Sequence, residues 1–142
     1  MTPSLSFTVF AVLLLTVGCA TRAVPPTSAN DVPRERVFSS SYLAPQHATA
    51  SRLTFVRDSG LFGVGVTIHL FLDGEEIAGF RPGERLELFL APGEYLLGVK
   101  SNPNFGLEQF VETPVRVEPS QQYSFRVGID GSKALVQRTS AF

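Results

Sequence analysis

From Arg52 to the C-terminus, apolar and polar residues alternate in short runs broken by turn residues about every ten positions, the habit of strands with one face in a core and the other in water. In the clearest run Val66, Ile68, Leu70 and Leu72 fall on one side and Thr67, His69 and Phe71 on the other. Asp73-Gly74 follows and predicts a type I′ hairpin, because both central residues of that turn need positive φ. The chain returns through Ile77 and reverses again at Arg81-Pro82-Gly83-Glu84, where proline presets φ and glycine takes a conformation that side chains resist. Leu86, Leu88 and Leu90 then alternate with Arg85, Glu87 and Phe89. Beyond Ala91-Pro92-Gly93 lie Tyr95 to Val99, Phe110 to Val117, Tyr123 to Ile129 and, across Asp130-Gly131-Ser132, Ala134 to Arg138. With Arg52 to Arg57 these are eight predicted strands and no helix, an all-β domain over residues 50–142 built as an antiparallel sandwich of about seven or eight strands. The predicted inward set is Phe55, Val66, Ile68, Leu70, Leu72, Ile77, Leu86, Leu88, Leu90, Tyr95, Leu97, Val99, Val115, Val117, Tyr123, Phe125 and Val127.

The pattern before residue 50 is different. Phe7 to Val17 is an uncharged apolar run, shorter than the roughly 20 residues that span a bilayer but of the length of a signal-peptide core. Thr16-Val17-Gly18-Cys19 comes next and resembles the bacterial lipobox, in which a cysteine is acylated and the signal is cut on its amino side. That resemblance implies a signal over residues 1–18, a mature chain starting at Cys19, and attachment to a lipid bilayer through the acylated Cys19, since each buried methylene contributes roughly 0.8 kcal/mol. Ala20 stands where aspartate directs inner-membrane retention, which by the same resemblance favours the outer membrane, facing the periplasm. Residues 19–49 contain Pro25, Pro26, Pro33 and Pro45 among Ser, Thr and Ala without sustained periodicity, and are expected to form a linker reaching on the order of 30 Å. Arg36 to Leu43 is its apolar exception, expected either to pack on the domain or to form a helical turn.

Composition narrows the function classes. Twelve Lys and Arg nearly balance thirteen Asp and Glu, and they are dispersed, so no nucleic-acid partner is expected. The apolar fraction of 44%, with twelve Phe, supplies a core. A single cysteine leaves no intrachain disulfide and no multi-cysteine metal site.

Leu72-Asp73-Gly74-Glu75-Glu76-Ile77-Ala78-Gly79, then Pro82-Gly83, Leu86-Glu87-Leu88 and Ala91-Pro92-Gly93-Glu94-Tyr95 look like the repeat pattern of PEGA-type domains. Together with Phe55-Val56-Arg57-Asp58-Ser59-Gly60 they resemble a family of small bacterial lipoproteins of unknown function. The resemblance covers about residues 51–100 and implies a transthyretin-like or immunoglobulin-like sandwich. It brings no catalytic residues.

Candidate chemistry is sparse. His47 and His69 share no ligand spacing, and no cofactor or metal is expected. No Gly-x-Ser-x-Gly elbow is present. Glu84, Glu87 and Glu94, with Asp73, Glu75 and Glu76, admit a glycosidase pair but read more simply as solvated turn and strand charges. Gly60 to Gly65 lacks the Lys-Ser/Thr of a phosphate loop.

If strands alternate in direction, the loops at 58–65, 81–84, 101–106 and 130–133 share one end. That end is expected to point away from the membrane, because the first strand starts from the linker. Its apolar tips, Leu61-Phe62 and Phe105, form either a recognition surface or a plug folded into the sandwich. Phe71 and Phe89, outward on strands expected to be neighbours, form a second candidate binding surface unless other segments cover them. The expectation is a non-enzymatic envelope lipoprotein that binds another envelope protein or glycan. An enzyme on cell-wall or carbohydrate substrates and a carrier of a small apolar ligand are the alternatives.

Overall fold

The computed structural model describes residues 21–60, 63–102, 109–131 and 133–140. Among these, the strands are β1 (Asn30–Asp31), β2 (Ser51–Arg57), β3 (Ile68–Leu72), β4 (Glu75–Phe80), β5 (Glu84–Leu90), β6 (Gly93–Ser101), β7 (Val111–Val117), β8 (Gln122–Asp130) and β9 (Lys133–Thr139). They form an all-β sandwich, with one sheet in the order β1-β5-β2-β8-β9 and the other β4-β3-β6-β7. All eight expected strands are present; β1 is the addition. Asp73 and Gly74 have φ of 48° and 82°, as the type I′ turn demands.

Alternation drives the packing. Sixteen of the seventeen expected inward residues are buried, and Tyr95 is half-buried at the margin. Phe55 of β2 stacks on Phe125 of β8, with centroids 4.9 Å apart. A bulge between Leu70 and Phe71 lets Ile77 and Ala78 both enter the core, and it sets Glu76 opposite Phe71 on the outer face.

The sandwich is not wholly antiparallel: β2 lies parallel to β8, and β1 parallel to β5. Strand direction still alternates along the chain, because β2 and β8 are joined only through the intervening strands of both sheets. The connections after β2, β4, β6 and β8 therefore gather at one end, and those after β3, β5 and β7 at the other.

Residues 21–49 are not a free linker. They run as a strap from the loop-rich end to the opposite end. Arg22 bridges Ser59, β1 extends the sheet beside Glu84 and Arg85, and Val37 bridges Ala78. Phe89 N–H then donates to Tyr42 O, and Ser120 N–H to Thr49 O. Of the two alternatives for the segment from Arg36 to Leu43, packing is the one found, since Val37, Tyr42 and Leu43 lie against the core. The physical reason is edge closure: β5 and β4 would each present unpaired backbone, and the strap pairs with both. Arg36 fastens it, with Nη1 and Nη2 donating to Glu84 at 2.6 and 2.5 Å and Nη1 also to Gly79 O at 2.8 Å. The chain thus enters the domain at the loop-rich end.

Candidate functional site

The outer face of the β4-β3-β6-β7 sheet carries a band of rings. His69 of β3 lies in register with Gly79 of β4 and Lys100 of β6. Phe38 of the strap stacks on His69, with centroids 6.2 Å apart and planes 7° from parallel, and a Cβ at Gly79 would stand 3.0 Å from Thr67 Cγ2 and 3.7 Å from His69 Cε1. Phe71, two residues along β3, faces Gly98 of β6. Phe110 reaches across Gly98 from the opposite side and meets Phe71 edge to face at 5.1 Å and 89°, the geometry that ring quadrupoles prefer. The fit over Gly98 is close, since a Cβ there would stand 2.5 Å from Phe110 Cζ. Phe38 and Phe110 remain 54% and 45% exposed.

Polar groups border the band. Glu76 accepts from His69 Nδ1 at 2.5 Å. A shallow depression of about 200 Å³ is lined by His69, Phe71, Glu76, Lys100, Ser101 and Asn102. It is smaller than the roughly 300–1,000 Å³ of enclosed small-molecule sites, so it suits one ring-sized unit of a longer chain.

The loop-rich end is organised by Arg57, which is 2% exposed. It points inward between the sheets. Nη1 donates to Val66 O at 2.5 Å and Phe80 O at 2.6 Å, and Nη2 to Gly63 O at 3.0 Å. Burial pushes the guanidinium down from 12.5 to about 10, against the opposing pull of the Glu84 and Asp58 charges. Arg57 therefore ties β2 to the opposite sheet and to the loop after it, with carbonyls as its acceptors. Alongside it, Asp58 holds Arg126 through bonds of 3.0 and 2.6 Å.

The expected site residues are dispersed. Cys19, Leu61, Phe62 and Phe105 lie outside the described residues. Phe71 belongs to the band. Phe89 does not: β5 and β3 are in different sheets, and Phe89 instead lines a cleft of about 250 Å³ with Tyr42, His47 and Tyr95. The expectation that Phe71 and Phe89 sit on neighbouring strands fails because the chain changes sheet between β4 and β5.

The carboxylates considered as an enzymatic pair are also separated. Glu84 is bound to Arg36, Glu76 to His69 and Glu75 to the Tyr42 hydroxyl, while Asp73 accepts from Leu96 N–H. Glu87 and Glu94 lie on different sheets. Among the described residues, no three His, Asp or Glu side chains gather as metal ligands. Sequence reading placed His69 and Phe71 outward and allowed the segment around Phe38 as a cover, but it did not pair Phe38 with His69 or Phe110 with Phe71, nor single out Gly79 and Gly98. The available signal was a glycine within each of the two strands flanking β3, which marks a close approach.

No protein-family model matches the sequence, and no curated protein does. Among the described residues, no helix is long and apolar enough to cross a membrane.

Proposed function

We propose that the protein is a lipid-anchored envelope protein, acylated at Cys19 and exposed to the periplasm, whose sandwich is a non-enzymatic module that binds an envelope saccharide. The reading keeps the resemblance to small bacterial lipoproteins with a PEGA-like domain. The observation that carries the binding function is the band of Phe38, His69, Phe71 and Phe110 beside the depression at Glu76 and Lys100. Ring faces and edges offer apolar contact to the C–H side of a sugar, while the Glu76 carboxylate, Lys100 ammonium and Asn102 amide supply both acceptors and donors for its hydroxyls. Exposed aromatics grouped on one face mark a partner site rather than scattered surface.

Titration of the full chain with oligomers of β-1,4-linked N-acetylglucosamine and with lipopolysaccharide core oligosaccharide, followed by NMR, tests the reading. Chemical-shift changes confined to β3, β6 and Phe110, lost in a Phe71→Ala variant, are expected. A protein partner crosslinked at the same face, with no sugar response, would replace the saccharide. For the anchor, palmitate labelling that disappears in Cys19→Ser is the expected result.

A further inference from the structure

We infer that the loop-rich end of the sandwich, and not the opposite end, lies against an anionic phospholipid surface. The inference rests on the reading of Cys19 as the acylated residue and goes beyond it by fixing which way the domain faces. Arg22 N–H donates to Ser59 O at 2.6 Å, and Ser59 N–H returns the bond to Arg22 O at 2.9 Å. Ser59 lies two residues beyond β2 at the loop-rich end. Three residue steps separate Cys19 from Arg22, and a chain covers at most about 3.3–3.6 Å per residue, so by any path Cys19 stays within about 11 Å of Arg22. The far end lies a strand length away, since the nine residues of β6 rise about 30 Å. A lipid on Cys19 therefore brings the loop-rich end to the headgroups. It reaches the far end only if the strap unpairs from β5 and β4.

Charge follows the same axis. Among the described residues, Arg22, Arg34, Arg81, Lys100 and Lys133 stand at or near the loop-rich end and make no ion pair, against Glu35, Glu112 and Asp130. Arg126 is matched there by Asp58, Arg36 by Glu84 and Arg85 by Asp31. At the far end Asp73, Glu75 and Glu94 outnumber Arg52 and Arg138, and Arg116 is paired with Glu118. The described residues thus carry a net positive balance toward the anchor and a net negative one away from it, which attracts the loop-rich end to anionic headgroups within a Debye length. Val64, 60% exposed beside Gly63, adds an apolar contact at the same end. This reverses the orientation expected from sequence, which assumed a free linker leading straight into β2.

The test uses the full lipidated chain in vesicles of phosphatidylethanolamine and phosphatidylglycerol at about three to one, the anionic component matching the positive end. Acylation consumes the native thiol, so a Val64→Cys or Glu94→Cys substitution gives one labelling position for an environment-sensitive fluorophore. Quenching by headgroup-nitroxide lipid is expected to be several-fold stronger for the label at position 64 than at 94. Joint Arg22→Glu, Arg81→Glu and Lys133→Glu substitution should reduce the quenching at 64. Equal quenching, or stronger quenching at 94, in protein that floats with the vesicles overturns the orientation while leaving the anchor intact. Protein that does not float removes the anchor and the orientation with it.

Discussion

Phe71 and Phe110 meet edge to face at 5.1 Å above Gly98, whose missing side chain is what lets the two rings touch. Gly98 has no positive φ, so alanine there meets no backbone strain. Its Cβ would fall 2.5 Å from Phe110 Cζ and 3.2 Å from Phe71 Cβ. The first clash is with the far end of an exposed side chain, which can swing away at small cost. Gly98→Ala should therefore leave stability within about 1 kcal/mol of the parent, since edge-to-face pairs are worth about 0.5–1.5 kcal/mol and strand glycine is itself unfavourable. The same change should weaken binding at the outer face about tenfold or more. Urea melts and ligand titration on one sample separate the two effects. A variant that binds like the parent would remove Phe110 from the site.

The strands were legible because their alternation is a local signal, and the positive-φ turn at Asp73-Gly74 because its residue types are demanded by geometry. The band was not legible as a unit. His69 and Phe71 share one face of one strand, but Phe38 and Phe110 arrive from remote segments, and only the pairing order β4-β3-β6-β7 brings them together. Arg57 is absent from the predicted inward set for a different reason. A charged residue at a strand end reads as solvent-facing, whereas alternation from Leu53 and Phe55 puts it inside, where backbone carbonyls satisfy it. The strap was hidden by its prolines, which suggest a linker but also suit short edge pairing.

Replacing Arg57 by methionine tests what that buried cation contributes. Burial depresses the guanidinium to about 10, so removing the charge relieves a desolvation penalty on the order of 3 kcal/mol. Against this, the carbonyls of Gly63, Val66 and Phe80 lose a donor, at about 1–3 kcal/mol for each buried acceptor left unsatisfied. The balance predicts that Arg57→Met is destabilising by about 2–4 kcal/mol, with faster amide exchange at Val66 and Thr67. A urea midpoint equal to that of the parent would show that the carbonyl contacts give no net gain.

Gly63→Ala and Gly74→Ala together resolve strain from packing. Both glycines have φ near +82°, so each substitution carries the left-handed penalty of about 1–2 kcal/mol. Around Gly74 nothing lies within 4 Å of an added Cβ, whereas at Gly63 the Cβ would meet Ile129 Cδ1 at 2.8 Å and Arg57 Nη2 at 3.3 Å. Gly63→Ala should be the more destabilising of the pair by about 1 kcal/mol or more, the usual scale of overpacking. Equal losses in chemical denaturation would show that the loop gives way without disturbing Arg57.

The Arg36–Glu84 clamp makes the strap sensitive to acid. Burial pushes the Glu84 carboxyl up, but the hydrogen bonds from the Arg36 guanidinium and the Arg81 N–H outweigh it and hold the group below its ordinary 4.5. A carboxyl depressed on folding stabilises the fold fully above its unfolded value and loses that contribution as the pH falls through the folded one. Below about pH 4.5 the strap should therefore loosen, and because Arg36 also holds Gly79 O, Phe38 should leave His69 in the same step. Hydrogen exchange corrected for its intrinsic pH dependence should show Asn30, Val32 and Phe38 amides losing protection before those of β8. In Glu84→Gln those amides should exchange faster at neutral pH and change little on acidification. If the variant kept the parent's acid response, the pH sensitivity would belong to another carboxylate, with the Asp58–Arg126 pair the next to test.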